Sequence, residues 1–262
     1  MLNIIIPIYK TSFDEFEIIS LKSIFDNFLN YNITFICPDN LELNFLDKYD
    51  FIKQYRVERF KDDYFKNIDG YNKLLVANEF YKRFEDFKYI LICQTDVYIF
   101  KNELENWISK NYDYVGAPWI ASKRNFINIF FETTNNLYRK TTGKKLKNTE
   151  RIFKVGNGGF SLRKIEKFIK IIDLEIKNIE KFETDRFNND YYIEDVFWSL
   201  YVPKFYSDFK IPDWKEALSF CIDRKPKLAF KLNNNKIPMA CHGFNKPKVT
   251  KFWKKFILNL NK

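Results

Sequence analysis

The chain carries one histidine, His242, within Ala240-Cys241-His242-Gly243-Phe244-Asn245-Lys246-Pro247, and an acid, Asp96, that ends the apolar run Tyr89-Ile90-Leu91-Ile92-Cys93-Gln94-Thr95-Asp96. A carboxylate at the carboxyl end of an apolar strand stands where open α/β sheets bind their ligands. An imidazole brought beside it would give a mixed oxygen and nitrogen donor pair for a divalent ion. Between the two in the chain lie Gly156-Asn157-Gly158-Gly159, which precedes a strand-like segment, and Glu194-Asp195, adjacent acids before an apolar stretch.

Each segment has a chemical and a plain reading. Asp96 with His242 forms an open shell whose free positions suit two phosphate oxygens, so a bound cation would neutralise the charge that builds on a departing nucleoside diphosphate. The glycine-rich segment lacks the spacing of a dinucleotide fingerprint or a P-loop. Its glycines allow close backbone approach and positive φ, which suits either a loop beneath a sugar or a simple tight turn. Glu194 and Asp195 in a first helical turn are favoured by the helix dipole; alternatively Asp195 is the general base that deprotonates an acceptor hydroxyl.

The elements that must position these residues alternate between strand and helix, as in a sheet covered by helices. Strands are expected at residues 2–8, 33–37, 54–57, 88–93, 114–116 and 159–162. Helices are expected at about 14–29, 71–84, 163–172 and 194–201. The 262 residues, 46% hydrophobic, are enough for one domain with a substantial core. The division is therefore 1–262 as a single domain, with a basic insertion at about 121–152 and a basic aromatic tail at about 248–262.

The net charge of +10 is uneven. Residues 120–152 hold eight basic residues against two acids, and residues 245–262 hold six lysines and no acid. Such patches attract anions, including an anionic membrane surface, although Lys-rich segments are also ordinary solvated surface. The segment Phe252-Trp253-Lys254-Lys255-Phe256-Ile257-Leu258 fits a short helix docked on the core or an interfacial contact. Cys37, Cys93, Cys221 and Cys241 show no paired spacing and read as reduced thiols of a cytoplasmic protein. With no leader and no apolar run of membrane-spanning length, a cytoplasmic protein, peripheral at most on the inner face of the membrane, is expected.

Taken in order, Ile5-Ile6-Pro7-Ile8-Tyr9, Gly70-Tyr71-Asn72-Lys73-Leu74, the strand ending in Gln94-Thr95-Asp96, Asp113-Tyr114-Val115-Gly116-Ala117-Pro118-Trp119, the glycine-rich turn, Glu194-Asp195 and Cys241-His242-Gly243 resemble the GT-A-fold glycosyltransferases. The match is nearest to a bacterial and algal group known as a domain of unknown function. The resemblance implies an α/β fold with a mixed, Rossmann-like sheet flanked by helices. It places Gln94-Thr95-Asp96 on the family's DxD motif, with Gln94 where the first Asp stands, and makes Asp96 and His242 the ligands of Mn2+ or Mg2+. Pro7, Tyr9 and Asp39 would surround the nucleotide, Gly70, Tyr71, Asn72 and Lys73 would approach it, and Lys246 would touch the diphosphate. Trp119, Asn157, Gly158 and Gly159 would border the sugar and acceptor pocket, and Asp195, with Glu194 beside it, would be the base of inverting members.

The expected activity is transfer of a sugar from a nucleoside-diphosphate donor, a UDP-sugar above all, to a hydroxyl of a glycan or lipid-linked acceptor in cell-surface polysaccharide or lipooligosaccharide synthesis. A retaining transferase on the same scaffold is the alternative. A basic, aromatic nucleic-acid binder fits the composition, but no RNP, KH or zinc-knuckle signature occurs, and no nucleic-acid partner is expected. A glycoside hydrolase needs two acids flanking one bond, which adjacent Glu194 and Asp195 do not provide.

Overall fold

The computed structural model describes residues 1–121, 150–186 and 189–257. Nearly all of the expected basic insertion and the last five residues of the tail lie outside the described residues.

A six-stranded sheet has the order β3-β2-β1-β4-β7-β6. Strands β1 (Leu2–Pro7), β2 (Asn32–Pro38), β3 (Tyr55–Phe60) and β4 (Tyr89–Cys93) run parallel, whereas β7 (Phe160–Lys164) is antiparallel to both β4 and β6 (Tyr114–Gly116). All residues of β1 and β4 are buried. This explains why these strands read as unbroken apolar runs: helices cover both faces, so both alternating sets of side chains are apolar. Ile4, Ile6, Leu91 and Cys93 enter the core on one face, and Ile5, Ile90 and Ile92 enter the core on the other. All four cysteines are free and buried.

Helix α1 (Glu15–Phe28) starts at a capping box in which the Asp14 side chain accepts from Glu17 N while the Glu17 carboxylate accepts from Asp14 N. The single helix expected at 71–84 is instead two, α2 (Ile68–Leu74) and α3 (Asn78–Lys82). Asn67 caps α2 through Gly70 N, so the helix starts three residues before its expected position, and Ala77 is extended between the two. The helix expected at 163–172 continues to Thr184, burying Phe168, Ile171, Ile172 and Phe182 on one stripe. The segment 194–201 begins as one α-turn and widens into a π-helix at Phe197–Tyr201, whose five residues are all buried. Single π-turns of this kind often occur at functional sites.

A second sheet, ordered β5-β9-β8, was not visible as periodicity because its strands are short: β5 Val97–Ile99, β8 Cys221–Ile222 and β9 Ala240–His242. The C-terminal helix is Pro247–Trp253 rather than 252–258. Trp253 and Ile257 are fully buried, and Trp253 packs against Phe100 and Phe230, so this segment docks on the core.

Candidate active site

The small sheet aligns three site residues. β5 is antiparallel to β9 with Val97 opposite His242, which sets Asp96 beside Gly243, and Gly243 N donates to Asp96 O at 2.9 Å. β8 is parallel to β9 with Ile222 opposite Cys241, which sets Asp223 beside His242. His242 therefore lies between two carboxylates: its Nε2 is 3.0 Å from Asp96 Oδ1 and its Nδ1 is 3.3 Å from Asp223 Oδ1. Both Asp96 Oδ1 and His242 Nδ1 are buried, and among the described residues neither has an aligned hydrogen bond.

Burial alone would lower the imidazole's pKa, but the close approach and charge of Asp223 and Asp96 outweigh it and push His242 up to about 9. The same contacts, helped by the Lys246 charge, hold Asp96 and Asp223 below the ordinary carboxylate range against the opposing effect of burial. A group raised on folding contributes stability that is complete below its unfolded value and fades as pH rises through its folded one. For His242 that window runs from the ordinary 6.5 up to about 9 in metal-free protein. The lone imidazole makes the check simple: its NMR resonance should titrate near the upper end, and a midpoint at or below the ordinary value would show that the two carboxylates do not hold it.

Two donors, Asp96 and His242 Nε2, converge from one side, while Asp223 stands behind the ring. Among the described residues, no three of His, Cys, Asp and Glu converge on one cation position. The arrangement fits an open shell of two protein donors, because Asp96 Oδ1 and His242 Nε2 face each other at 3.0 Å while Asp223 stands at the ring's other nitrogen, as carboxylates that orient metal-ligating imidazoles do.

β7 runs back along β4 with Phe160 opposite Cys93, bringing the glycine-rich segment against the strand end, where Gln94 N donates to Gly159 O at 2.9 Å. A Cβ on Gly159 would lie 2.5 Å from His242 Nε2 and 2.6 Å from Gln94 Oε1; one on Gly158 would lie 1.9 Å from Glu194 Oε1. Close approach is thus what these glycines provide. Positive φ is not: in this segment it falls on Asn157, at 40°. The Asn157 side chain accepts from Gly159 N and donates to Asp223 Oδ2, each at 3.2 Å. Trp119 is buried, with its ring against Gly156 and Val196 and Leu200 in its cluster, so it forms the floor of this loop rather than an open pocket wall.

Glu194 and Asp195 point apart. Fully buried Arg163 donates to Glu194 Oε1 at 3.1 Å, to Tyr81 Oη at 2.9 Å and to Ser161 Oγ at 3.0 Å. Asn72, also buried, accepts from Glu194 N at 3.3 Å. Asp195 is half-buried, with its Oδ1 enclosed and lacking a hydrogen bond among the described residues. Burial raises its pKa above the ordinary range, opposed by the charges of Arg151, Arg163 and Arg224. Glu194 is raised as well, again chiefly by burial, against the Arg163 charge.

Beside the strand end opens a cleft of ≈ 450 Å³ whose lining includes Pro7, Tyr9, Tyr71, Gln94, Thr95 and Asp96. Other expected nucleotide residues fall elsewhere. Lys73 pairs with Glu183 in a separate pocket shared with Asp69 and Arg186. Gly70 is not lining; a Cβ there would lie 2.3 Å from the Asp63 carbonyl, so it serves helix packing. Asp39 ends β2 at the same sheet edge but outside the cleft lining. Lys246 folds back over Gly243, where a Cβ would meet its Nζ at 2.6 Å, and its charge acts on Asp96 and Asp223.

Sequence reasoning missed Asp223, Arg163, Asn245 and Glu17. Asn245 lines the cleft with a buried Oδ1 that has no hydrogen-bond partner among the described residues. Glu17 Oε1 accepts from Thr95 Oγ1 at 3.1 Å and Oε2 pairs with Lys10 at 2.6 Å. The capping-box spacing of Asp14 and Glu17 was the available signal, but it points to a helix start rather than to a cleft.

The six-stranded mixed sheet flanked by helices is that of the GT-A glycosyltransferase fold. Mouse xyloside xylosyltransferase 1, in its apo form, superposes with a TM-score of 0.53 at 10% identity, over 94% of this chain and 98% of that one. The galactosyltransferase LgtC, in complex with donor and acceptor sugar analogs, gives a TM-score of 0.55 at 12% identity over 98% and 94%. Core-mannan synthase A of Aspergillus fumigatus, in its Mn/GDP form, gives 0.50 at 13% over 82% and 73%. No curated protein matches the chain in sequence. Within this fold the chain belongs to the family described as Protein of unknown function (DUF5672), whose model matches residues 54–242. That span includes Asp96, Asn157–Gly159, Glu194, Asp195, Asp223 and His242.

Proposed function

We propose that the chain is a glycosyltransferase that moves a sugar from a nucleoside-diphosphate donor, a UDP-sugar in our reading, to a hydroxyl of a glycan or lipid-linked acceptor. The observation that carries this is the pairing of Asp96 Oδ1 with His242 Nε2 at 3.0 Å, with Asp96 itself lining the ≈ 450 Å³ cleft at the carboxyl edge of the parallel strands. Clefts of that size suit small-molecule ligands. Solved structures of the same fold hold donor and acceptor sugar analogs, or manganese with GDP.

Asp96 and His242 would hold the divalent cation, Mn2+ or Mg2+, which when bound neutralises charge on the departing diphosphate. Tyr9, Pro7 and Tyr71 offer apolar walls to the nucleoside, and Lys246 adds positive charge beside the diphosphate position. Gly158 and Gly159 leave room for the sugar over the loop that Asn157 braces. Asp195 removes the proton of the acceptor hydroxyl as that oxygen attacks the anomeric carbon from the face opposite the leaving group, which inverts configuration. Glu194 positions the loop through Arg163.

Among the described residues no helix is long and apolar enough to cross a membrane. Lys248 and Lys251 on the C-terminal helix, and Lys246, Lys254 and Lys255 at its ends, are exposed, a charge distribution that supports action on the cytoplasmic face beside an anionic surface bearing the acceptor of cell-surface glycan synthesis.

Thermal unfolding with nucleoside diphosphates and UDP-sugars tests the reading. A ligand at a hundred times its dissociation constant adds about 2.7 kcal/mol, so UDP with Mn2+ should raise the midpoint clearly. Asp96→Asn should remove the manganese-dependent part. A protein indifferent to every nucleoside diphosphate, with or without metal, is not a transferase of this class.

A further inference from the structure

We infer that Asp223 is a positioning residue for the donor site: it fixes the His242 ring so that Nε2 is presented to the cation, and it ties that ring to the loop under the sugar. The inference rests on the reading of Asp96 and His242 as metal ligands and adds to it a residue that touches neither metal nor substrate. Asp223 is 5% exposed. Its two oxygens serve two different elements: Oδ1 lies 3.3 Å from His242 Nδ1, and Oδ2 accepts from Asn157 Nδ2 at 3.2 Å, with Arg224 Nε at 3.4 Å.

The geometry separates this role from that of a ligand. Asp223 and Asp96 address opposite nitrogens of one imidazole, so a cation on the Asp96 side is screened from Asp223 by the ring. A carboxylate at Nδ1 selects the tautomer in which Nδ1 carries the proton, leaving the Nε2 lone pair free to ligate. Asn157 completes the link, because the same side chain that holds Asp223 also accepts from Gly159 N, and Gly159 packs directly on the His242 ring. Ring orientation and loop conformation are thereby set together: a shift of Asn157 releases one oxygen of Asp223 and unlocks the backbone in contact with Nε2.

A double-mutant cycle on Mn2+ affinity, read by manganese EPR titration in the presence of UDP, tests the assignment without recourse to turnover. Loss of an outer-shell partner typically weakens metal binding about 10- to 100-fold, so Asp223→Asn should do so in the parent. In a His242→Ala background the same change should have almost no further effect, since groups acting through one another are non-additive. Equal losses in both backgrounds would overturn the inference, because Asp223 would then act on the cation by itself; so would an unchanged affinity in Asp223→Asn. If His242→Ala alone leaves Mn2+ affinity at the parent value, the fault lies instead with the reading of His242 as a ligand. Should Asp223→Asn fail to fold, Asn157→Gly, which suits the positive φ at that position, replaces it in the cycle and should show a smaller loss with the same dependence on His242.

Discussion

Asp195→Asn should slow turnover by about 10² to 10⁴, the usual loss when a positioned base is removed, while affinity for UDP with Mn2+ stays near that of the parent. The division follows from where the carboxylate sits. Asp195 is absent from the lining of the donor cleft, and the field around it comes from Arg151, Arg163 and Arg224, the last of which contacts Asp223. In the proposed reaction it takes the acceptor side of the His242 cluster. Its enclosed Oδ1 has no hydrogen-bond donor among the described residues, so an acceptor hydroxyl would be its partner in the proposed reaction. Burial raises its pKa, which strengthens it as a base and sets a pH dependence of definite sign: turnover falls as pH drops through that raised value, since the carboxylate must be ionised to take a proton. Single-turnover rates of Asp195→Asn and the anomeric configuration of the product decide the matter together. Retention of configuration, or a variant as fast as the parent, removes the direct-displacement role from Asp195 and leaves the retaining alternative.

Much of this site could be read from residue types, and what could not be read has physical reasons. Strands β1 and β4 and the position of Asp96 were legible because burial on both faces leaves an unbroken apolar run ending in a polar residue. His242 stood out as the single imidazole. Asp223 gave no signal, since it follows a two-residue strand too short for any period, and its meaning comes from the register with β9. Arg163, expected to open a helix, instead lies in β7 and is fully buried, because Ser161 of the same strand and Tyr81 and Glu194 from other elements satisfy it. Lys73 and Gly70 sit in the right segment but on the wrong side of it: once Asn67 starts α2 early, helical geometry turns Tyr71 to the cleft and Lys73 to Glu183. The loop glycines were legible as a place of close approach, whereas the residue that adopts positive φ was Asn157.

Glu194→Ala should destabilise the protein by about 3–5 kcal/mol, because removing one partner of a buried ion pair leaves the other charge uncompensated. Arg163 is wholly enclosed, and among the described residues Glu194 is the acid it pairs with. Glu194→Gln should cost less, since its amide oxygen still accepts from the guanidinium. Urea unfolding of the two variants measures the difference, and a Glu194→Ala protein as stable as the parent would show that Arg163 is satisfied without it. The pair also has a positional role that stability alone does not reveal. Arg163 Nη2 lies 3.5 Å from the Gly158 carbonyl, and Glu194 Oε1 occupies the space a Gly158 side chain would need, so the two charges shape the loop that the proposed reaction sets beneath the sugar. Buried pairs can often be exchanged for apolar residues of similar volume with little loss, or with a gain, in stability. The double replacement Arg163→Met with Glu194→Leu should accordingly recover much of the stability lost in Glu194→Ala. It should not recover turnover, because Gly158 loses both the guanidinium and the carboxylate that hold it. A double variant that regains stability and full activity together would show that the pair serves folding alone, and that the loop keeps its shape through Asn157 and the β7 register without it.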